Sequence, residues 1–564
     1  MKSIAFVILL SSLQAAFAHP ASTWTVMGKE FAVDTVKHCQ LGPGTSLTIL
    51  DLTGDHRQRV FFTTTDLTNP LVQIKTICGN NDLKTNMTVP QMASNKGDKN
   101  YEYFAGVNSD LFSGNGPIGT TIVGSEIYKT VRTSTGWYSV GCDSEKHLSF
   151  GQFYPTFKLV STATGQMSAK SVNTPRESND FVVFTDKYGA STGTSANGVE
   201  VAAVSLDNGL SAYGTSRYKV TAEPQSGVGN MSIPAGGIVL SANASWYMDP
   251  LKKLKVGDII EITPTFSLNG KAIDQIQEMS GGCPMILQDG SILNTDKVLD
   301  HLSSRRPRTA VGIDKTGAKM VMMVVDGDKF NAGISDGITS KELASMMQNA
   351  GCHTAINFDG GGSSTIYSEA LGVLNRPSDG QLRKVRNGWF LAAPKTDDTN
   401  VVSIAFADYA KTIAVGTAYK PIVYGYNKDG YLIDANLAGC SLSCPPGSKV
   451  SIDNGTLTFS QAGTYQIEAS RNGSTAKIQI TVADNSGITL PSADGSKMSV
   501  TAEPWVGVRI TIPYDSGVRL FNCQGVCLKN VKCKAGTIVI PTSGLSSGLY
   551  FIVTDKETRK LYIK

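Results

Sequence analysis

The stretch Asn357-Phe358-Asp359-Gly360-Gly361-Gly362-Ser363-Ser364-Thr365 places one carboxylate, three glycines and three hydroxyls directly after the apolar run Thr354-Ala355-Ile356. That order predicts a strand that delivers polar groups at its end. Consecutive glycines permit positive φ and let backbone N–H groups come close to an anionic ligand. A flexible hairpin loop is the plainer reading, but loops seldom combine a buried strand with this density of donors.

Three further segments set polar groups at strand edges. Asn108-Ser109-Asp110-Leu111-Phe112 follows the apolar Tyr103–Val107; Ser191–Glu200, with Thr192, precedes another apolar run; and Arg305-Arg306-Pro307-Arg308-Thr309 leads into a strand and then to Val324-Val325-Asp326-Gly327. Together they supply carboxylates, a guanidinium and amides, the mixture that hydrolysis of an anionic sugar substrate requires. His353 is the histidine nearest the glycine run, and its position suits packing where the strand begins better than proton transfer. A Ser-His-Asp hydrolase is therefore disfavoured, although Ser363 and Ser364 follow the glycines.

The elements that must carry these groups are mostly strands. The chain has 564 residues, too many for one core, with 57 Gly and short Val/Ile-rich runs broken by turn residues. Arg59–Leu67 and Phe181–Thr185 read as strands. One amphipathic helix is expected over Ser340–Gly351, capped by Thr339 or Ser340, with Leu343, Met346, Met347 and Ala350 on its apolar stripe. A net charge of +4, from 51 basic and 47 acidic residues, gives no nucleic-acid footprint.

The first residues combine a basic Met1-Lys2-Ser3, an apolar run from Ile4 to Leu10, and Ala16-Phe17-Ala18 before His19. This is the pattern of a secretory signal peptide over residues 1–18. No later segment has the roughly 18 apolar residues of a membrane-spanning helix, so the expected product is secreted or displayed at the outer surface of a bacterium, and secretion machinery is an expected partner. The ten cysteines could then form disulfides; Cys440 with Cys444, and Cys523 with Cys527 or Cys533, could close small loops.

Domain punctuation is clear. A large domain over residues 19–395 ends in the polar linker Lys395–Asn400. Strands at regular spacing over 400–484 resemble a bacterial immunoglobulin-like module, and the end of the chain, 495–564, resembles the C-terminal sorting domain of the type IX secretion system. The expected fold is an α+β catalytic domain, β-rich with few helices, followed by two small all-β sandwich modules.

The large domain resembles the phosphodiester glycosidase family. The resemblance rests on Asn357–Ser364, Pro307–Gly312, Val172-Asn173-Thr174-Pro175-Arg176 and Asn375-Arg376-Pro377-Ser378. It departs from the family pattern at Asn108–Phe112, where Ser109 and Leu111 replace a glycine and an aromatic, so substrate range does not carry over. The resemblance implies cleavage of a sugar-1-phosphodiester to a free sugar and a phosphomonoester, with an N-acetylglucosamine-type sugar as the expected substrate.

A phosphate leaving group is stable as an anion, so positive charge and N–H donors matter more than a general acid. Arg308 is the expected phosphate clamp, and Asp359 with Glu200 the expected carboxylate pair. Asn108, Thr192, Asn357 and Ser364 orient substrate; Gly360, Gly361, Gly362 and Ser363 supply backbone donors; Asp110 and Asp326 complete the binding set. No cofactor is required on this reading. A divalent cation such as calcium on Asp359, Asp110 and Asp326 is the variant. The competing functions are an inactive carbohydrate-binding adhesin and a phosphodiesterase acting on a cell-wall polymer.

Overall fold

The computed structural model describes residues 22–564 except 96–97, 133–136, 296–297, 300, 329–330, 484–497, 504–506, 513, 523–526, 541–547, 557 and 564. The expected signal peptide, residues 484–497 and parts of the sorting-like end, Cys523 among them, lie outside the described residues. The chain divides into two compact units, 1–482 and 483–564.

Period-two alternation builds the first unit. Along Lys319–Val325, Met320, Met322 and Val324 face one core while Val321, Met323 and Val325 face another. Both faces are buried, which is why the strand reads as an unbroken apolar run. This strand lies inside a nine-stranded sheet with the spatial order Thr23–Val26, Lys29–Gly42, Thr45–Thr53, Arg57–Asp66, Lys319–Val325, Arg308–Ile313, Thr354–Asn357, Met285–Gln288 and Ser291–Ile292.

One face of that sheet is covered by the helix Ser340–Asn349. Thr339 caps it, accepting from the Glu342 N–H while the Glu342 side chain returns to the Thr339 N–H, the reciprocal pair that satisfies two otherwise orphaned donors. Leu343, Met346 and Met347 are fully buried against Leu50, Val60 and Met323. Truncating either methionine to alanine is expected to cost about 2–5 kcal/mol.

The opposite face packs on a five-stranded sheet ordered Gly372–Val373, Ile366–Ser368, Tyr101–Asn108, Asn387–Pro394 and Gln73–Cys78. Leu47, Phe61, Met322 and Ile356 from the first sheet meet Phe104, Val107, Trp389 and Leu391 from the second. A fourteen-stranded sheet, including Ile276–Gly282 and Val199–Ser205, builds a separate core around Phe157, Phe181, Val201 and Leu240.

The strands of 403–483 enclose a core of Ile404, Phe406, Leu457, Phe459, Ile467 and Ile480. This module docks on the large domain through the Lys37 ammonium, which donates to the Ala407 carbonyl at 2.6 Å and to the Tyr424 hydroxyl at 3.0 Å. The second unit is itself a pair of antiparallel sheets around Val508, Ile510, Val518, Leu520 and Ile552. The molecule is thus β-rich with three α-helices among the described residues, and none of these is long and apolar enough to cross a membrane. Cys39, Cys78, Cys142, Cys283, Cys352, Cys440, Cys444 and Cys527 are free thiols, so the local Cys440–Cys444 loop is not closed.

Candidate active site

Asn108 ends one strand of the five-stranded sheet and Asn357 ends one strand of the nine-stranded sheet. Stacking these sheets brings the two ends together. The Asp359 N–H donates to the Ser109 carbonyl at 2.7 Å, and Asn108 Nδ2 donates to the Asp359 carbonyl at 2.7 Å. Asn108 Oδ1 accepts from Thr309 Oγ1 and from the Thr365 N–H, both at 3.0 Å. Thr309 Oγ1 also reaches Ser364 Oγ at 3.2 Å. Three segments distant in sequence are therefore sewn into one loop cluster.

Asp359 and Asp110 are the carboxylates of this cluster. Asp359 is half-buried, and burial raises its pKa against the opposing bonds from Ser363 and Gly360 and the charge of Arg383. Asp110 is 1% exposed; its carboxylate accepts from the Gly119 N–H at 2.5 Å and from Trp137 Nε1 at 3.1 Å. Burial nevertheless pushes Asp110 up to about 7, and the charge of Asp359 adds to the rise. Glycine at 281 is required here, because a Cβ would lie 2.3 Å from the Asp110 carboxylate.

The glycines act differently from the expected donor cradle. Only Gly361 takes a positive φ, +60°. Gly360 donates to Asp359 Oδ1, Gly361 to the Pro307 carbonyl, Ser363 to the Gly360 carbonyl and Ser364 to the Gly361 carbonyl, so most of the expected N–H donors are already spent. Gly362 is needed for close approach: a Cβ there would sit 2.2 Å from both Arg383 Nη2 and Asp379 Oδ2. Arg383 lies over the loop, 42% exposed, 2.8 Å from Asp379 and 3.4 Å from Ser363 Oγ.

Two expected roles change. Arg308 is 1% exposed, and its Nε and Nη2 donate to the carbonyls of Ile338, His301, Leu302 and Ser304; burial lowers its pKa to about 10. It ties down the 301–304 loop, and the exposed guanidinium beside the glycines is that of Arg383. Glu200 is also not the partner of Asp359. Its carboxylate accepts from Thr194 Oγ1 at 2.8 Å, Ser241 Oγ at 2.7 Å, the Met231 N–H at 2.8 Å and Thr192 Oγ1 at 3.3 Å, with Arg176 at 3.9 Å. Glu200, Thr192 and Arg176 thus form a saturated polar knot in the fourteen-stranded sheet.

Asp326 sits behind the loop, accepting from Asn375 Nδ2 at 3.1 Å and from the Arg376 N–H at 3.0 Å, and burial pushes it up to about 6. Asn375 Nδ2 passes this link to the Ser364 carbonyl at 3.0 Å. Asn357 spends Nδ2 on the carbonyls of Cys283 and Phe358, leaving its buried Oδ1 without a partner among the described residues. Among the described residues no group of three or more His, Cys, Asp or Glu side chains is arranged to hold a metal ion, so Asp359, Asp110 and Asp326 do not form the calcium set considered from sequence. His353 lies at the far end of its strand, 4.0 Å from Asp289.

Sequence reasoning missed Trp137, Arg383, Asn387 and Ser280. Asn387 Oδ1 accepts from the Asp110 N–H at 3.1 Å and its Nδ2 donates to Ser280 Oγ at 3.1 Å, which in turn reaches Ser109 Oγ at 2.9 Å. Asn387 is followed by the apolar run Trp389–Ala393, and that pattern was the available signal. A cavity of about 460 Å³, lined by Tyr138, Phe150, Tyr154, Gln288 and Thr354 among others, contains none of the cluster's residues.

Residues 200–392 match the phosphodiester glycosidase family model. The matched segment contains Arg308, Asp326, the glycine loop and Arg383; Asn108 and Asp110 lie before it. No curated protein matches the chain. Among solved structures, a hypothetical protein from Synechocystis is similar at 16% identity and a TM-score of 0.49, covering 62% of each chain. A Burkholderia pseudomallei protein described as a candidate exported protein gives 16% and 0.47, covering 60% of this chain and 74% of that one. The catalytic domain of zebrafish N-acetylglucosamine-1-phosphodiester alpha-N-acetylglucosaminidase, auto-inhibited by its pro-peptide, gives 13% and 0.32, covering 65% and 88%. The chain spans less than two thirds of the Synechocystis protein.

Proposed function

We propose that this protein hydrolyses the glycosidic bond of a sugar-1-phosphodiester, with Asp359 and Asp110 as its carboxylate pair and Arg383 at the phosphate. The observation that carries the reading is the hydrogen-bonded joining of the Asp359 loop to Asn108–Asp110 beneath an exposed guanidinium. The family match over 200–392 supports it.

Of two coupled carboxylates, the more deeply buried one keeps the proton. Burial raises the pKa of both carboxylates, that of Asp110 to about 7; in the proposed assignment Asp110 holds the proton and Asp359 is the base. Asp359 takes a proton from the attacking water; oxygen bonds to the anomeric carbon while the bond to the phosphate oxygen breaks. The electron pair leaves with the phosphate, where Arg383 balances the charge. The half-buried Trp137 offers a flat apolar face on which a pyranose ring can rest. An N-acetylglucosamine-type sugar is the substrate class proposed. The signal-like start and the sorting-like end support export to the surface of a bacterium.

The test is incubation of the full chain with α- and β-linked sugar-1-phosphodiesters, N-acetylglucosamine-α-phosphate esters included, with detection of free sugar. Release of sugar without prior release of phosphate supports the reading. Binding of the same compounds without turnover would instead make the domain a carbohydrate-binding adhesin, and release of phosphate-bearing sugar would make it a phosphodiesterase.

A further inference from the structure

Arg386 stands one residue before Asn387, the side chain that holds the Asp110 backbone. It is 8% exposed, yet its Nε and Nη1 have no hydrogen-bond partner among the described residues. Its remaining contact is a long one, Nη2 to the Ser113 carbonyl at 3.5 Å. The neighbouring groups answer the charge only in part. Burial holds the Cys78 thiol far above its ordinary range, hence neutral. Asp82 accepts at Oδ1 from the Lys84 and Thr85 N–H groups and at Oδ2 from Thr85 Oγ1. Burial is the first cause acting on Arg386 and lowers its pKa, and the charge of Asp82 offsets only part of this.

A covered cation with unpaired donors is destabilising unless an acceptor arrives. The backbone around it is fixed: the Gly79 N–H donates to the Arg386 carbonyl at 2.7 Å, and the Met87 and Val385 N–H groups exchange bonds with each other's carbonyls. Ser113 belongs to the same loop as Asp110, three residues on, and pairs with Gly116 in a short hairpin. Arg386 therefore touches the loop that carries Asp110 and precedes the residue that holds the Asp110 backbone.

We infer that Arg386 forms a second anion subsite, which recognises a further anionic group, carboxylate or phosphate, carried by the substrate in addition to its phosphodiester. This rests on the proposed function for its substrate, and on the unpaired guanidinium alone for its anion binding. A substrate with two anionic positions would engage Arg383 at the scissile phosphate and Arg386 at the second group.

The experiment uses the full chain as wild type, Arg386→Gln and Arg383→Gln. Titration with inorganic phosphate is expected to raise the Tm of the wild type and of Arg383→Gln, with a smaller rise or none in Arg386→Gln. In the second arm, sugar-1-phosphodiesters are compared whose alcohol part is neutral, carboxylated or phosphorylated. The wild type is expected to favour one anionic form by about tenfold in kcat/KM, the scale of one charge-assisted hydrogen bond, and Arg386→Gln to lose that preference; the arm that responds identifies the group. A phosphate-induced shift as large in Arg386→Gln as in the wild type, or a preference that persists in it, would overturn the inference, as would a phosphate titration that leaves the wild-type Tm unmoved. If no substrate is cleaved, the proposed function fails, while the phosphate titration still decides the subsite.

Discussion

Asn108 grips Asp359 by the backbone: its Nδ2 donates to the Asp359 carbonyl at 2.7 Å while its Oδ1 takes the Thr309 hydroxyl and the Thr365 N–H. A side chain whose polar atoms are committed in this way is a positioning group for the aspartate, in place of the substrate contact expected from sequence. Asn108→Ala leaves two buried donors and one acceptor without this partner, so it should cost roughly 1–3 kcal/mol of stability and lower kcat by loosening Asp359. Thermal melts and turnover on the same preparation check this. A melt unchanged alongside a raised KM would return Asn108 to the substrate.

Asp359→Asn separates chemistry from folding. Asparagine keeps an oxygen able to accept the Gly360 N–H, now at 2.9 Å, and the position is half-buried. Tm should hardly move. Turnover should fall by about a hundredfold or more, the scale of a lost general base. Residual activity within a few-fold of wild type would remove Asp359 from the reaction.

Arg383 and Arg308 should respond in opposite ways. Arg383 is 42% exposed and rests over Gly362, so Arg383→Gln should raise KM for phosphodiesters about tenfold or more with little change in Tm. Arg308→Lys gives up most of the bonds to the carbonyls of His301, Leu302, Ser304 and Ile338, so it should lower Tm well before it affects KM. The reverse pattern in the two variants would restore Arg308 as the phosphate clamp.

The sequence made strands, the capped helix and the glycine loop readable because each is a local pattern. The strand run Arg59–Leu67, the Thr339 cap before the Leu343–Met347 stripe, and a carboxylate beside three glycines all depend on near neighbours. The pairing of Asp359 with Asp110 depends on how two sheets stack, which no spacing encodes. Arg308 and Arg383 look alike in sequence; only the nearby carbonyls of one and the exposure of the other tell them apart. The same holds for Glu200, whose four hydrogen bonds come from strands and turns up to 41 residues away.

Protonation of Asp110 should be visible in stability. Its folded pKa, about 7, lies above the unfolded value of about 3.9, so between these values the folded state binds more protons and stability falls as pH rises. Glu278, pushed up to about 7, and Asp326, to about 6, act in the same direction. Each such group contributes a slope of at most about 1.4 kcal/mol per pH unit. The Tm of the large unit should therefore fall between pH 5 and 7, and Asp110→Asn should flatten that profile. An equally steep profile in the variant would show that Asp110 is already ionised at pH 5.

Removal of residues 483–564 tests the terminal module. The contact division falls at Val482/Ala483, and that unit has its own core of Val508, Ile510, Val518, Leu520 and Ile552. The candidate site lies wholly in the first unit, between residues 108 and 387. The truncated chain should therefore keep the melting transition of the large unit and its full turnover. If the module is a sorting signal, activity in the native host should move from the surface or medium to the periplasm, because the signal-like start still directs crossing of the inner membrane. Surface activity that persists after truncation would leave the module as a β-sandwich without a sorting role.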